Sequence, residues 1–363
     1  MAPNEGRVEV VVPLAERPVE DPLPGNHFVL ESPDQSVVGE PQVVFTRETD
    51  TLSDLARAYG LGYDELVAAN PDVNPWLPGA NTPVLLPTQF VIPDVPREGI
   101  VLNIASKRLF YFPPVAEGRP VLVKTFPIGI GRVGWETPLG ATSVVAKARD
   151  PHWYVPLSVR QEHAELGDPL PSVVPPGPDN PLGHRVLKLD MPGYLIHGTN
   201  QPYGVGMRVS HGCVRLYPEN IEYLYELVEI GEGVTIINEP FLFGQRDGVL
   251  HFEGHAPLED DTVDPQDRLD LLLEHWNGQL PRGFSDREIA RVKAAAGAAA
   301  GVPLRIEARR ADDPLARARV VHNVVEVDTE APTLAEVREM IDEAVREAEE
   351  DAAAVPPTAQ SVQ

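Results

Sequence analysis

Residues 194–217 read YLIHGTNQPYGVGMRVSHGCVRLY, and this stretch constrains the fold more than any other. The apolar run Tyr194-Leu195-Ile196 has the make-up of a buried strand end, which delivers His197 to the mouth of a sheet. Gly198, Gly204, Gly206 and Gly212 punctuate the residues after it, so the chain must turn rather than continue as a long element. The window also holds the only cysteine of the chain, Cys213, together with His211, Asn200, Ser210 and Arg215.

Those residue types suit acyl transfer. A thiolate is the reactive form of cysteine, and a neighbouring imidazole favours it. Donors must also face the developing oxyanion, and backbone N–H groups in a glycine-containing turn can supply them. His211-Gly212-Cys213 reads as such a turn, since Gly212 reaches backbone conformations closed to other residues. Two plainer readings stand beside this one. A single cysteine is commonly an inert buried side chain. One Cys with two His could also ligate zinc, although no acidic or second Cys ligand sits at a useful spacing.

The combined pattern HGTN, nine residues, then SHGCVRL resembles the L,D-transpeptidase (YkuD-type) catalytic domain. REGIVLNIASKRLFYFP, FPIGIGRVGWETPLG and SVVPPGPDNPLG resemble its early strands and substrate-side loops, and the resemblance spans residues 98–240. It implies Cys213 as nucleophile and His197 as general base, with the carbonyl of Gly198 orienting the far ring nitrogen. That is a Cys-His-carbonyl form of triad logic needing no carboxylate. His211 and Gly212 are then expected to shape the turn, the oxyanion site or a substrate contact. Arg215 stabilises the turn or binds a substrate carboxylate, for which a planar guanidinium is suited. Ser210, Thr199 and Asn200 read as hydrogen-bonding scaffold. Neither metal nor organic cofactor is implied.

The activity implied is attack by Cys213 on the L-centre residue before D-Ala in a peptidoglycan tetrapeptide stem. The thioester is then resolved by an amine: another stem (a 3→3 cross-link), a lipoprotein lysine or a free D-amino acid. Carbapenems should acylate the same thiol. Two further readings are a hydrolase of this fold that cuts cross-links or lipoprotein anchors, and a non-catalytic wall-binding protein. A cysteine protease fits poorly with the order of the motifs. The partners implied are stem peptides, glycan and an outer-membrane lipoprotein, and the place is the periplasm or cell envelope. No signal-like apolar run begins the sequence; since the resemblance implies an exported enzyme, the expectation it carries is a form whose leader has been removed.

With 30 Lys and Arg against 55 Asp and Glu, the net charge of −25 opposes binding to nucleic acid or to an anionic membrane surface. One cysteine excludes an internal disulfide. After an extension over residues 1–41, residues 42–89 spell a βααβ unit: a strand at 43–45, a helix capped by Thr51 with Leu52, Leu55, Ala56 and Tyr59 on one face, a helix at 63–69 and a strand at 82–86. The unit resembles the LysM module, a binder of N-acetylglucosamine-containing glycan, although Thr49 stands where that family usually has Gly.

Residues 93–97 read as a linker, and 98–240 as a mixed-β domain with few helices. Strands are expected at 100–104, 109–112, 121–128 and 234–237, with tight turns over 129–140. A Pro-rich, lid-like segment covers 150–183, where Trp153 and Tyr154 could stack on substrate or simply pack. Pro218 opens a helix with Ile221, Leu224, Tyr225 and Val228 on its apolar face. Beyond lies an acidic, α-rich region over 241–351, with a hairpin at 245–252, helices at 269–276 and 286–300, and a helix from Thr333 to Glu350. The tail at 352–363 reads as disordered. The chain is thus expected to be a multidomain α+β protein.

Overall fold

The computed structural model describes residues 12–115, 119–307 and 312–326. The helix expected from Thr333 and the tail lie outside the described residues.

A nine-stranded mixed sheet forms the centre. Gly99–Asn103 pairs antiparallel with Arg108–Phe112 and parallel with Gly233–Ile237. Beyond Gly233–Ile237 come Gly140–Arg149, Arg185–Leu189, Leu195–His197 and Val214–Arg215. On the other side lie Leu122–Pro127 and, at the edge, His27–Val29, which joins the sheet from the amino-terminal segment. Helix Pro218–Leu227 begins on a proline whose fixed φ suits a first turn, and it buries Ile221, Leu224 and Tyr225. These pack with Ile100, Leu102, Leu109, Phe126, Leu187, Ile196 and Val214 in one core.

Residues 42–86 run in βααβ order: Gln42–Phe45, Leu52–Ala58, Tyr63–Ala69 and Pro83–Leu86. Thr51 begins the first helix with a full capping box, its hydroxyl taking the Asp54 N–H while the Asp54 carboxylate takes the Thr51 N–H. Leu52, Leu55 and Ala56 are buried on the face their spacing sets out. Two features exceed any local pattern. Arg319–Val321 adds a third strand, parallel to Gln42–Phe45. The apolar face of the unit also merges with that of the large sheet, because Leu52, Leu55, Leu66, Val84 and Leu86 share a cluster with Val101, Phe110, Phe112 and Val123.

Polar contacts reinforce this junction. Arg108, 2% exposed, pairs with Glu65 at 2.5 Å and lies 3.9 Å over the Phe90 ring. Gly206, at φ +87°, touches the Cα of Gly62, and a Cβ there would meet that atom at 2.4 Å, so only glycine permits the approach.

Phe241–Arg246 and Val249–Gly254 form the expected hairpin, extended by Leu304–Arg305. Helices Pro265–Gln279 and Asp286–Ala298 bury Leu269, Leu273 and Val292 against its Phe241, Phe243 and Phe252. Within 150–183 the short ribbon Trp153–Tyr154 with Val173–Val174 flanks a helix, Leu157–Glu165. Trp153 is half-buried and Tyr154 is exposed. In the glycine-rich 129–140 stretch, Ile130–Gly131 pairs parallel with Arg208–Ser210.

Candidate active site

Leu195–His197 and Val214–Arg215 are parallel neighbours whose register places Ile196 opposite Val214 and His197 opposite Arg215. Ile196 and Val214 enter the core, so strand alternation turns His197 and Arg215 to the other face. Cys213 immediately precedes the strand Val214–Arg215, and the Arg215 charge acts on both its thiol and the His197 ring. Nucleophile candidate, base candidate and cation are therefore brought together by two neighbouring strands joined through residues 198–213, which include the short strand Arg208–Ser210.

His197 is 3% exposed, and its Nδ1 lies 2.6 Å from the carbonyl oxygen of Gly198. Burial, aided by the nearby Arg215 charge, pushes its pKa down to about 3, against the opposing pull of the Gly198 and Leu182 carbonyls. The ring is neutral at neutral pH, so Nδ1 carries the proton given to Gly198 and Nε2 carries the lone pair. Burial raises the Cys213 thiol, while the Leu195 backbone and the Arg215 charge act to lower it. Its Sγ lies 3.5 Å from the Gly193 carbonyl oxygen. The resting pair is thus thiol and imidazole, not thiolate and imidazolium.

Arg215 is held by its backbone, exchanging hydrogen bonds with Gly129 at 2.8 and 2.9 Å. Burial lowers its pKa, and its Nε is buried with no partner. Among the described residues no carboxylate lies within ion-pair distance of it. The residue as a whole is half-buried, so its guanidinium remains open to an anion that would complete it.

The turn before Cys213 is tied at nearly every polar group. Gly212 sits at φ +98°, and a Cβ there would come within 2.9 Å of the Tyr194 ring. The Ser210 hydroxyl accepts from the Gly212 N–H at 3.2 Å and donates to the Cys213 carbonyl at 2.5 Å. Thr137 donates to the Gly212 carbonyl at 2.9 Å while accepting from the Gly131 N–H at 3.2 Å. Among the described residues the Cys213 N–H meets no protein acceptor, which leaves it available as an oxyanion donor.

Thr199 is buried, and its Oγ1 accepts from the Gln201 N–H at 2.9 Å. Asn200 is exposed, and among the described residues its side chain makes no such hydrogen bond. His211 turns away from the sheet towards the helix Leu157–Glu165, its Nε2 being 2.8 Å from Glu162 Oε2 and 3.1 Å from Arg132 Nη2.

Sequence reasoning missed three residues. Thr137 and Arg132 lie inside a stretch that already carried the family resemblance, so a signal was present there. Glu162 had none. Among the described residues no group of three or more His, Cys, Asp or Glu side chains is placed to hold a metal ion.

Comparison with known proteins places the chain among its relatives. The profile of YkuD, an L,D-transpeptidase catalytic domain, matches residues 97–236. The Probable L,D-transpeptidase YcfS of Escherichia coli K12 is 38% identical over 258 residues, covering 69% of this chain and 79% of that protein. YbiS of the same strain, also named a probable L,D-transpeptidase, is 40% identical over 235 residues, or 64% and 75% of the two chains. ErfK/SrfK of Salmonella typhimurium LT2, named likewise, is 36% identical over 285 residues, or 76% and 89%. The catalytic domain of the Enterococcus faecium L,D-transpeptidase is 21% identical with a TM-score of 0.30, covering 40% of this chain and 100% of that one. With that identity and that coverage of its relatives, the chain belongs to the L,D-transpeptidase family.

Proposed function

We propose that the chain transfers the acyl group of a peptidoglycan tetrapeptide stem to an amine through a thioester on Cys213. The observation that carries this reading is the pairing of His197 with Arg215 on neighbouring strands, the second directly preceded by Cys213, with the Arg215 charge acting on both His197 and Cys213 and Nδ1 of His197 tied to Gly198.

Cys213 Sγ attacks the carbonyl carbon of the residue preceding D-Ala as its proton passes to His197 Nε2. Because imidazole and thiol both start neutral, proton transfer accompanies attack rather than preceding it. The Cys213 N–H takes the oxyanion. The tetrahedral species collapses, the C–N bond to D-Ala breaks, and His197 returns its proton to the departing amine. A neutral acceptor amine then attacks the thioester. It loses a proton through His197, and the thiol is restored.

Arg215 receives a substrate carboxylate in this scheme. The same contact offsets the positive charge that depresses His197, so substrate makes the imidazole a better base. The acceptor is a second stem, a lipoprotein lysine or a D-amino acid, and the setting is the periplasm or cell envelope. Residues 42–89 are proposed as a LysM-like glycan contact. Supporting that role, Trp76 is 58% exposed and its ring lies 5.8 Å from that of Tyr63, an apolar platform for a sugar face. No helix among the described residues is long and apolar enough to cross a membrane.

Intact mass spectrometry after incubation with a disaccharide-tetrapeptide, with and without an amine, tests the reading. The expected result is a Cys213 adduct that yields an exchanged or cross-linked product, and a parallel adduct with a carbapenem. Undiminished turnover by Cys213→Ala would refute it.

A further inference from the structure

We propose that Glu162 is a positioning residue that latches the helix Leu157–Glu165 to the catalytic turn through His211 and Arg132, and thereby sets how the acyl-enzyme divides between amine and water. The inference rests on the thioester reading above.

The helix has little else to hold it. A nine-residue helix is not stable alone, and this one buries a single side chain, Val159. Leu157 and the adjoining Leu166 are 61% and 76% exposed. Arg160 and His163 are half-buried as well, but among the described residues the side-chain hydrogen bonds that tie the helix to the body of the protein are those of Glu162. One carboxylate oxygen lies 2.8 Å from His211 Nε2, and the other takes a hydrogen bond from Arg132 Nη2. A further side-chain contact of the helix, His163 Nδ1 at 3.5 Å from Asp168 Oδ2, is internal to the 150–183 segment.

Both partners of Glu162 connect to the catalytic turn, His211 as part of it and Arg132 through its backbone. His211 is bonded directly to Gly212 and precedes Cys213 by two residues. Arg132 donates its backbone N–H to the Ser210 carbonyl at 3.0 Å. His211 is enclosed on further sides by the Trp135 ring, edge-on at 4.8 Å, and by the His163 ring at 6.2 Å.

The geometry also selects a tautomer. Nε2 cannot donate to Glu162 and accept from Arg132 at once. The carboxylate is kept ionised by the Arg132 and His211 hydrogen bonds and is the nearer of the two partners. His211 Nε2–H therefore donates to Glu162, and the neutral ring presents its lone pair at Nδ1. Removing Glu162 frees the helix and releases the ring that abuts the nucleophile's turn. A closed segment shields a thioester from water, so an unlatched one favours hydrolysis.

The test measures the ratio of amine-transfer product to shortened stem, with disaccharide-tetrapeptide donor and saturating glycine as acceptor. Wild type, Glu162→Ala, Glu162→Asp and Arg132→Gln are compared, each checked for fold by circular dichroism and thermal unfolding. Glu162→Ala and Arg132→Gln should each lower kcat/KM for transfer by about tenfold, on the scale of a displaced positioning group, and shift the ratio towards hydrolysis. Glu162→Asp should recover part of both. Arg132→Gln approaches the latch from the body of the protein, so it decides the matter if Glu162→Ala misfolds. Normal wild-type adduct formation with unchanged rates and ratio in Glu162→Ala and Arg132→Gln would overturn the latch. Absence of any wild-type adduct would instead remove the thioester reading on which it rests.

Discussion

Acidification should weaken this fold through His197, and the size of the effect comes from its burial. The ring titrates near 6.5 when unfolded and is pushed down to about 3 in the folded protein. Between those values the unfolded state binds a proton that the folded state refuses, so stability is full above pH 6.5 and falls as pH drops towards 3. The shift of roughly 3.5 pKa units corresponds to about 5 kcal/mol at its limit and about 2 kcal/mol already at pH 5. Against a total stability of about 5–15 kcal/mol, either is a large loss.

Guanidinium unfolding of wild type and His197→Gln from pH 7.5 to 4 would isolate the term. The difference between the two curves should tilt by about 1.4 kcal/mol per pH unit below pH 6. His251, pushed to about 4 by burial, is present in both proteins and cancels. Parallel curves, or an imidazole resonance of His197 titrating near pH 6.5, would refute the account. They would also remove the claim that the resting pair is neutral. Activity should correspondingly keep its base down to about pH 4, provided the fold persists.

Gly212→Ala places a Cβ within 2.9 Å of the Tyr194 ring at a φ of +98°; it should cost about 1–3 kcal/mol of stability and abolish the Cys213 adduct by intact mass. Thr137→Val keeps the shape but strips the Gly212 carbonyl of its donor, so a loss of about 1–3 kcal/mol in denaturant unfolding is expected, with a slower carbapenem acylation rate. Glu65→Ala leaves Arg108, 2% exposed, without its carboxylate; the expected cost is about 3–5 kcal/mol, and Arg108→Met in the same background should restore most of it. A Glu65→Ala effect below about 1 kcal/mol would show that the junction does not depend on the pair.

What could be read from the sequence, and what could not, divides along the range of the forces involved. The alternation and glycine placement around His197 and Cys213 act within a few residues, so the strand ends and the turn were visible directly. The Thr51 cap and the spacing of Leu52, Leu55 and Ala56 are local in the same way. Helix Leu157–Glu165 was not visible because LSVRQEHAE buries only Val159 and leaves no apolar stripe to count. Arg319–Val321 was not visible because its partner Gln42–Phe45 is far along the chain, and three residues carry no period that names a partner. Glu162 combines both difficulties, since it lies on a silent helix and reaches His211 only through the assembled fold.

The merged core changes what the 42–86 unit can contribute. A binding unit on a flexible linker raises the local concentration of its ligand without fixing direction. Here Tyr63 donates its N–H to the Val205 carbonyl at 3.2 Å, and the Tyr217 hydroxyl donates to the Leu61 carbonyl at 3.1 Å. Val205 lies between His197 and Cys213 in sequence, and Tyr217 comes two residues after Arg215. The unit therefore grips both ends of the segment that carries the candidate nucleophile. Under the glycan-contact proposal, its contribution is orientation. A glycan held at Trp76 would be presented at a set angle to Cys213, and motion of the unit away from the sheet would disturb the loop between His197 and Cys213 before it freed any ligand.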